Sequence, residues 1–386
     1  MTMNWPKFKK PKWFKFIVPS IVLGLQVYGT WGFSHKLCYN MIYKTFHRES
    51  IAIGLITIVS TLDLVVIALW VQVVLIIGPG KQPFVPPFQL FTNDTESDDD
   101  DNETAVLPPI TYQCDPHGYP FWCSECQSLK LERTHHSSAM GHCVPRFDHY
   151  CVWVGTVIGK DNYLLFLQFV AYYAINLSII WVSIVSYIHM IIRKRPNQPH
   201  HHFNTNLIII LVFAILGWLF TVGLFFANIY YISKNRTSLE MLLQKHKKNS
   251  PLKKKFICHY SKINKSRYVV EFTNDGFFDF WNKSKIYTNI KEFLGSNILF
   301  WFIPLPMNRY KSSPPFFINN NYEINTDEKF STQNKHLHLE NVLGPYLETY
   351  GDETIRRINE KINNMEYITT LDAYGDKYMN ENDNTL

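Results

Sequence analysis

The sequence lacks the cysteine pattern of a disulfide-stabilised protein. Its 386 residues hold seven cysteines, an odd number, and four of these fall within one short segment, Cys123–Cys151. The remaining three, Cys38, Cys114 and Cys258, are scattered along the chain. This distribution favours reduced cysteines facing the cytosol over a framework of disulfide bonds.

Charged side chains are nearly absent from four long hydrophobic stretches, and each stretch approaches or exceeds the roughly 20 residues that span a bilayer. Buried helices of a soluble domain are a poor explanation for runs of this length. No small-residue cleavage site follows the first stretch and further spans come after it, which excludes a cleaved signal peptide. The sequence therefore predicts an α-helical polytopic membrane protein with transmembrane helices at Phe14–Phe33, Ile51–Ile77, Tyr163–Ile192 and Asn206–Ile232.

The basic N-terminus predicts the orientation of these helices. Five lysines between Lys7 and Lys15 precede or enter the first helix, and basic segments favour the cytosolic side of a membrane. With four spans, the N- and C-termini then both lie in the cytosol.

Asp63 lies within the second predicted span, where a carboxylate is costly. One interpretation is a functional group, and the other is a hydrogen-bond partner of the neighbouring helices. The sequence leaves both open.

Residues suited to binding a metal are concentrated between the second and third spans. Cys123 and Cys126 form a C-x-x-C knuckle, which places two thiolates on one face of a tetrahedral zinc site. Cys143 and three histidines follow closely enough to complete a closed site of three cysteines and one histidine. The histidines are His135, His136 and His142.

A second chemistry follows the knuckle, where Asp148 and His149 come directly before Tyr150 and Cys151. A free thiol has a pKa near 8.5, so Cys151 needs a neighbour that takes its proton. His149 can accept that proton, and Asp148 can hold the imidazole in the required tautomer. The run predicts a cysteine nucleophile beside the membrane surface, because the third span begins at Tyr163.

These residues resemble the cysteine-rich domain of the DHHC family of protein S-acyltransferases (palmitoyltransferases), in the fungal variant that reads Asp-His-Tyr-Cys. The matches keep one register from Cys123 to Asn162: Cys123, Cys126, Lys130, Arg133, His135, His136, Cys143, Asp148, His149, Tyr150, Cys151, Trp153, Gly159 and Asn162.

The resemblance implies roles for these positions. It implies zinc ligands at Cys123, Cys126, His136 and Cys143, and catalytic roles for Asp148, His149 and Cys151. It also implies that Lys130, Arg133 and His135 contact the phosphates of CoA, for which their charge is suited, although a solvated basic face is the alternative. Trp153 is expected beside the thioester, at the mouth of an acyl cavity.

Two C-terminal motifs extend the resemblance. Thr237, Ser238 and Glu240 match a Thr-Thr-x-Glu motif after the fourth span, and the serine in the second position keeps a hydroxyl hydrogen bond available. Asn289 matches an asparagine that tethers the C-terminal element to the domain, with Asn297 as the alternative.

One expected feature is missing. Family members usually bind two zinc ions through interleaved ligand sets, and the second set falls here on Ser137, Met140, Tyr150 and Val157. None of these is a usual zinc ligand in this setting. We therefore expect one structural zinc, with hydrogen bonds and apolar packing holding the second lobe.

The predicted domain organisation follows from these features. Residues 1–77 form the basic N-terminus and helices 1 and 2, 78–111 a Pro-rich and acidic linker, and 112–162 the zinc-binding catalytic domain. Residues 163–232 form helices 3 and 4, and 233–386 a cytosolic tail, loosely ordered beyond residue 313 apart from one helix near 353–364. The lysines at 245–255 are expected to attract anionic lipid heads.

The predicted function is protein S-palmitoylation, in which Cys151 takes a long-chain acyl group from acyl-CoA and passes it to a substrate protein cysteine near the membrane. The expected partners are substrate proteins and the bilayer, without nucleic acid, and the oligomeric state stays open. The lost zinc ligands favour one alternative, a catalytically weak membrane scaffold that recruits partners. A RING-like ubiquitin ligase would need two complete zinc sets.

Overall fold

The structure is a computed structural model that describes residues 15–86, 105–193, 204–247, 254–273, 279–304, 336–338, 343 and 346–371. Most of the basic N-terminus, the acidic run 93–104 and much of the tail lie outside the described residues. Four long helices form a bundle: α1 Ile17–Gly32, α2 Glu49–Val71, α3 Tyr163–Arg193 and α4 Thr205–Ser233. Helix α1 continues as a π-helical segment, Phe33–Thr45, and α2 as Gln72–Ile76.

Three of the four predicted hydrophobic runs form helices long and apolar enough to cross a membrane, and these are Glu49–Ile76, Tyr163–Ile192 and Thr205–Ser233. The first run forms α1, which is 16 residues long and is followed by a more polar π-helical segment. The described residues therefore contain three candidate spans, and a fourth stays a prediction.

Asp63 joins three helices of the bundle. Its carboxylate accepts hydrogen bonds from Gln26 Nε2 at 2.9 Å and Asn176 Nδ2 at 2.6 Å, and from the Thr30 hydroxyl. The side chain is buried. Asp63 is thus a hydrogen-bond partner of the neighbouring helices, which was one of the two interpretations that the sequence left open.

The cysteine-rich domain consists of three short antiparallel hairpins. They are β3 Trp122–Cys123 with β4 Ser128–Leu129, β5 His135–Ser137 with β6 His142–Val144, and β7 His149–Cys151 with β8 Thr156–Ile158. Gln82, in the predicted linker, contacts this domain, because it donates to the Leu129 carbonyl at 2.7 Å and accepts from the Leu131 amide at 2.9 Å. The domain boundary at residue 112 stays a prediction.

The C-terminal region is more ordered than the sequence predicts. An antiparallel sheet runs in the order β12–β10–β9–β2, built from Thr369–Leu371, Ser266–Thr273, Lys254–Ser261 and Thr111–Cys114. The helices are α5 Ser238–Lys247, α6 Ile286–Leu294, α7 Leu299–Phe302 and α8 Asp352–Asn363, and β1 Ala105–Leu107 pairs in parallel with β11 His336–His338.

Helix α8 confirms the helix predicted near residues 353–364, but its surroundings contradict a loose tail. Ile358 and Ile362 pack into one buried cluster with Trp281 and Tyr350. Of the lysine run predicted to attract anionic lipid heads, Lys254 and Lys255 lie in strand β9, and the attraction itself stays a prediction. Alternating apolar residues in β9 and β10 are buried by α8, and this long-range packing overrides the polar composition of the segment.

Candidate active site and metal centre

The four predicted metal ligands meet on the first two hairpins. The ligand atoms of Cys123, Cys126, His136 and Cys143 lie within 4.8 Å of one another. His136 Nδ1 lies 3.5 Å from Cys123 Sγ and 3.3 Å from Cys126 Sγ. A tetrahedral zinc with standard bond lengths separates such atoms by about 3.5 Å. The donor set therefore fits one zinc ion, and His142 lies outside it.

Ser137, Met140, Tyr150 and Val157 are the positions of the second expected ligand set. The described residues form no cluster of metal-ligating atoms there. Tyr150 pairs with Val157 across the β7–β8 hairpin, and the Val157 side chain is fully buried. The Thr156 hydroxyl lies 4.0 Å from the sulfur of Met140, which joins the second hairpin to the third. Strand pairing and apolar packing connect these positions, and the expectation of a single zinc stays a prediction.

Asp148 is the most constrained side chain of the β7–β8 region. It is 1% exposed, and its carboxylate accepts from His149 Nδ1 at 2.7 Å. The amide and hydroxyl of Ser238 donate to the same carboxylate at 2.5 and 2.8 Å. The Thr-Ser-x-Glu motif at the start of α5 therefore orients the Asp148 carboxylate. That carboxylate in turn orients the His149 imidazole.

His149 is the basic group of this arrangement. Burial alone lowers its pKa, but the hydrogen bonds and charges of Asp148 and Cys151 outweigh burial and raise that pKa to about 9. An imidazole of this basicity can hold the proton of a neighbouring thiol. The ring also packs edge-on against Phe166, with ring centroids 5.5 Å apart.

Cys151 ends strand β7 beside the membrane helices. Its thiol is nearly buried and lines an apolar cavity of about 300 Å³ that extends into the bundle. Trp153 also lines this cavity, is 53% exposed and lies against Phe220. The turn after Cys151 needs Gly155, whose φ is +84° and where a Cβ would lie 2.9 Å from the Lys15 carbonyl.

A polar cavity of about 380 Å³ lies beside the second hairpin and brings together Lys130, Arg133 and His135. Arg236 and Lys255 add two further cations to its wall. The sequence analysis named neither as a site residue. Lys255 belongs to a strand that was not predicted. The lining also includes four aromatic side chains and three carboxylates: Phe121, Trp122, Phe280, Trp281, Glu132, Glu240 and Asp279.

Arg133 differs from its predicted role as a phosphate contact. Its guanidinium donates to both carboxylate oxygens of Glu240, at 2.8 and 2.7 Å, and to the side chain and backbone carbonyl of Asn235. The residue is 7% exposed. Because its donors already have protein partners, Arg133 braces the start of α5 instead of presenting a free charge.

Glu240 and Thr237 form a reciprocal cap at the start of α5. The Thr237 amide donates to Glu240 at 2.8 Å, and the Glu240 amide donates to the Thr237 hydroxyl at 3.2 Å. This is a capping box, which stabilises the first turn of a helix. It fixes Ser238 where its two donors reach Asp148.

Asn289 lies at the junction of α4 and α6. Its amide donates to the Ser233 carbonyl at 2.9 Å and its oxygen accepts from the Lys283 amide at 2.7 Å, with 1% exposure. Asn297 is exposed, and its side chain accepts from the Leu299 amide. The geometry therefore favours Asn289 over Asn297 as the tether.

Comparison with known proteins identifies the family. A family model described as DHHC palmitoyltransferase matches residues 117–245. The chain is 48% identical to Palmitoyltransferase PFA5 of Saccharomyces cerevisiae over 97% of its own length and 98% of the relative's. The chain belongs to the DHHC palmitoyltransferase family. Relatives with the same printed name in Candida glabrata and Kluyveromyces lactis are 44% and 37% identical, over 94% and 93% of this chain and 95% of each relative.

Membership of the DHHC family confirms the predicted activity. The chain is a membrane-associated protein palmitoyltransferase, with a cysteine-rich DHHC domain whose Cys/His cluster could hold a metal ion. The scaffold and ubiquitin-ligase alternatives are not favoured by any of these comparisons.

Proposed function

We propose that Cys151 carries the acyl group as a thioester and passes it to cysteines of substrate proteins near the membrane. The observation that supports this most is the position of the Cys151 thiol, which lies beside His149 and also lines the apolar cavity within the bundle. A nucleophile at the mouth of such a cavity can receive a long acyl chain without exposing it to water.

The reaction proceeds in two thioester exchanges. His149 takes the proton of Cys151, and Asp148 stabilises the resulting imidazolium. The thiolate attacks the carbonyl carbon of the acyl-CoA, the bond to the CoA sulfur breaks, and the CoA sulfur takes the proton held by His149. His149 then takes the proton of the substrate thiol, the substrate sulfur attacks the acyl-enzyme, and the released Cys151 sulfur recovers that proton. Each step exchanges one thioester for another, so no further energy source is required.

The polar cavity is the proposed site of the CoA head group. Lys130 supplies a cationic donor there, and Arg236 and Lys255 lie on the same wall. Burial lowers the pKa of His135, so its imidazole offers a neutral N–H donor. Lysine and arginine are suited to phosphate oxygens by charge and donor geometry. Trp153 is proposed to pack beside the thioester where the apolar cavity opens.

One zinc ion is the proposed metal content, bound by Cys123, Cys126, His136 and Cys143. When bound, zinc crosslinks the first two hairpins and supplies folding energy without taking part in the exchange. Cys151 is not among its proposed ligands.

Four membrane spans are proposed, with both termini in the cytosol. The start of α1 lies beside the catalytic hairpin, where the Lys15 carbonyl approaches Gly155. Further along α1, the Tyr28 hydroxyl donates to Asn206 at the start of α4, at 2.8 Å. Helix α4 then returns to the catalytic side of the bundle and ends at Ser233, which Asn289 contacts. These contacts support an α1 that begins on the catalytic side and extends along the bundle to the start of α4.

The test is acylation of the purified protein in detergent or vesicles with labelled palmitoyl-CoA. Wild type is expected to acquire one hydroxylamine-labile acyl group and to release CoA. Cys151→Ala is expected to do neither, and Cys258→Ala serves as the matched control, since Cys258 is fully buried away from the site. Equal label on wild type and Cys151→Ala would remove the proposed role of Cys151.

A further inference from the structure

A carboxylate from the C-terminal region is buried inside the catalytic domain. Glu348 has a side chain only 2% exposed. It accepts from Arg146 Nε at 3.1 Å and from Lys160 Nζ at 2.8 Å. The nearest guanidinium nitrogen of Arg133 lies 3.7 Å away. One carboxylate from beyond the membrane bundle thus faces three cations of the cysteine-rich domain.

The charges around Glu348 make this contact specific. Burial alone raises the pKa of Glu348, but Arg146, Lys160 and Arg133 outweigh burial and hold that pKa well below its usual value. The carboxylate is therefore ionised at neutral pH. Without it, three cations would face each other inside the protein without their shared counter-charge, which is strongly unfavourable.

Continuous contacts lead from this cluster to the active site. Arg133 is shared between Glu348 and Glu240, and it donates twice to Glu240. Glu240 caps the start of α5, and Ser238 in that first turn donates to Asp148.

We propose that Glu348 is a positioning residue for acyl transfer, which it supports by holding Arg133 against Glu240 so that the first turn of α5 keeps Asp148 aligned with His149. This inference rests on the proposed roles of Asp148, His149 and Cys151. It assigns to the C-terminal region a direct part in the geometry of the reaction.

The mechanism predicts a change in the chemistry of Cys151, as well as in stability. A well-oriented Asp148 keeps His149 basic, and a charged imidazole stabilises the neighbouring thiolate. If Glu348 is neutralised, Arg133 and Arg146 lose the counter-charge that they share, and their repulsion strains the hydrogen bonds that hold Arg133 against Glu240. The thiolate of Cys151 then forms only at higher pH.

The experiment compares Glu348→Gln and Glu348→Asp with wild type in the full chain. The first readout is the pH midpoint of iodoacetamide alkylation, measured by mass spectrometry on the peptide that contains Cys151. The second is the rate of acyl-enzyme formation with palmitoyl-CoA. Thr354→Val is the matched control, since it removes a buried hydrogen bond from the same region to the Phe280 carbonyl without touching the cluster.

Glu348→Gln is expected to move the alkylation midpoint upward and to slow acylation about tenfold or more per folded molecule, with partial recovery in Glu348→Asp. Thr354→Val is expected to lower the melting temperature and leave the midpoint in place. A folded Glu348→Gln protein with the wild-type midpoint and rate would overturn the inference, as would a loss of rate that only follows the folded fraction. If wild-type Cys151 itself titrates like a free thiol and takes no label, the proposed function fails instead.

Discussion

Two neighbouring hairpins of the cysteine-rich domain, residues 135–144 and 149–158, are held in different ways. The first carries His136 and Cys143, whose ligand atoms converge with those of the knuckle. The second carries Tyr150 and Val157, where the family resemblance places zinc ligands, and it is held by strand pairing and a buried side chain.

The β7–β8 hairpin has further hydrogen bonds that hold its geometry. The hydrogen bonds come from other elements: Ser238 binds Asp148, and Asn162 donates to the Val157 carbonyl at 2.9 Å and accepts from the Gly159 amide at 2.9 Å. Buried polar networks of this kind fix one conformation when every member has a partner. We thus expect bound zinc to stabilise the β3–β4 and β5–β6 hairpins. Helix α5 is expected to stabilise the β7–β8 hairpin, which carries Cys151.

The largest effect is expected from a ligand of the first lobe. Cys143→Ser should remove the bound zinc and reduce acyl-enzyme formation at least about 100-fold, because metal binding and folding are coupled in such sites. Zinc content per chain and palmitoyl-CoA labelling measure the two effects. Full activity with no bound zinc would show that the first lobe does not depend on the metal.

A large effect is also expected when the reactive hairpin loses its carboxylate. Asp148→Asn should slow acyl-enzyme formation about 100- to 1,000-fold, in the range typical of oriented acid–base pairs. The zinc content should stay at the wild-type value, because Asp148 belongs to the other lobe. A variant that loses zinc as well would mean that the two hairpins are not held independently.

The wild-type protein is expected to lose stability in the alkaline range through His149. A histidine whose folded pKa is raised contributes stability that is fully present below its unfolded pKa, near 6.5, and is lost as pH rises through the folded value. With a folded pKa of about 9, the melting temperature should fall between pH 6.5 and 9. The fall should be smaller in His149→Gln, and an equal fall in both proteins would contradict this assignment.

The smallest effect is expected at the position where the second ligand set is lost. Tyr150→Phe should keep the zinc content unchanged and keep acylation within about threefold of wild type, because a surface-proximal hydroxyl contributes little. The measurement is the same labelling assay, run beside Cys143→Ser. A loss comparable to that of Cys143→Ser would show that the Tyr150 phenol has a catalytic part.

Local patterns predicted the parts of the site that are close in sequence. The three cysteines from Cys123 to Cys143 with a nearby histidine, the Asp148-His149-x-Cys151 run and the long apolar helices α2 to α4 follow from spacing and composition. The choice of His136 among three histidines came from the family resemblance. The sequence indicated that Ser238 keeps a hydroxyl hydrogen bond available, but not that its partner is Asp148, 90 residues away.

Long-range contacts explain what could not be predicted. Glu348 meets Arg146 across 202 residues, and no local pattern marks a lone glutamate in a polar segment as buried. Arg133 was expected to contact CoA phosphates, because nothing in its local sequence indicates its partner Glu240, which lies 107 residues away beyond two membrane helices. The first predicted span, Phe14–Phe33, forms an α1 of only 16 residues followed by a π-helical segment, so its crossing of the membrane stays a prediction.

Mapping the acyl group by tandem mass spectrometry tests the central claim most directly. After brief incubation with palmitoyl-CoA, the account predicts a thioester-linked palmitoyl group on the peptide that contains Cys151, with Cys123, Cys126 and Cys143 unmodified in the zinc-loaded protein. An acyl group found instead on one of those three residues, with Cys151 unmodified and protected by bound zinc, would contradict it.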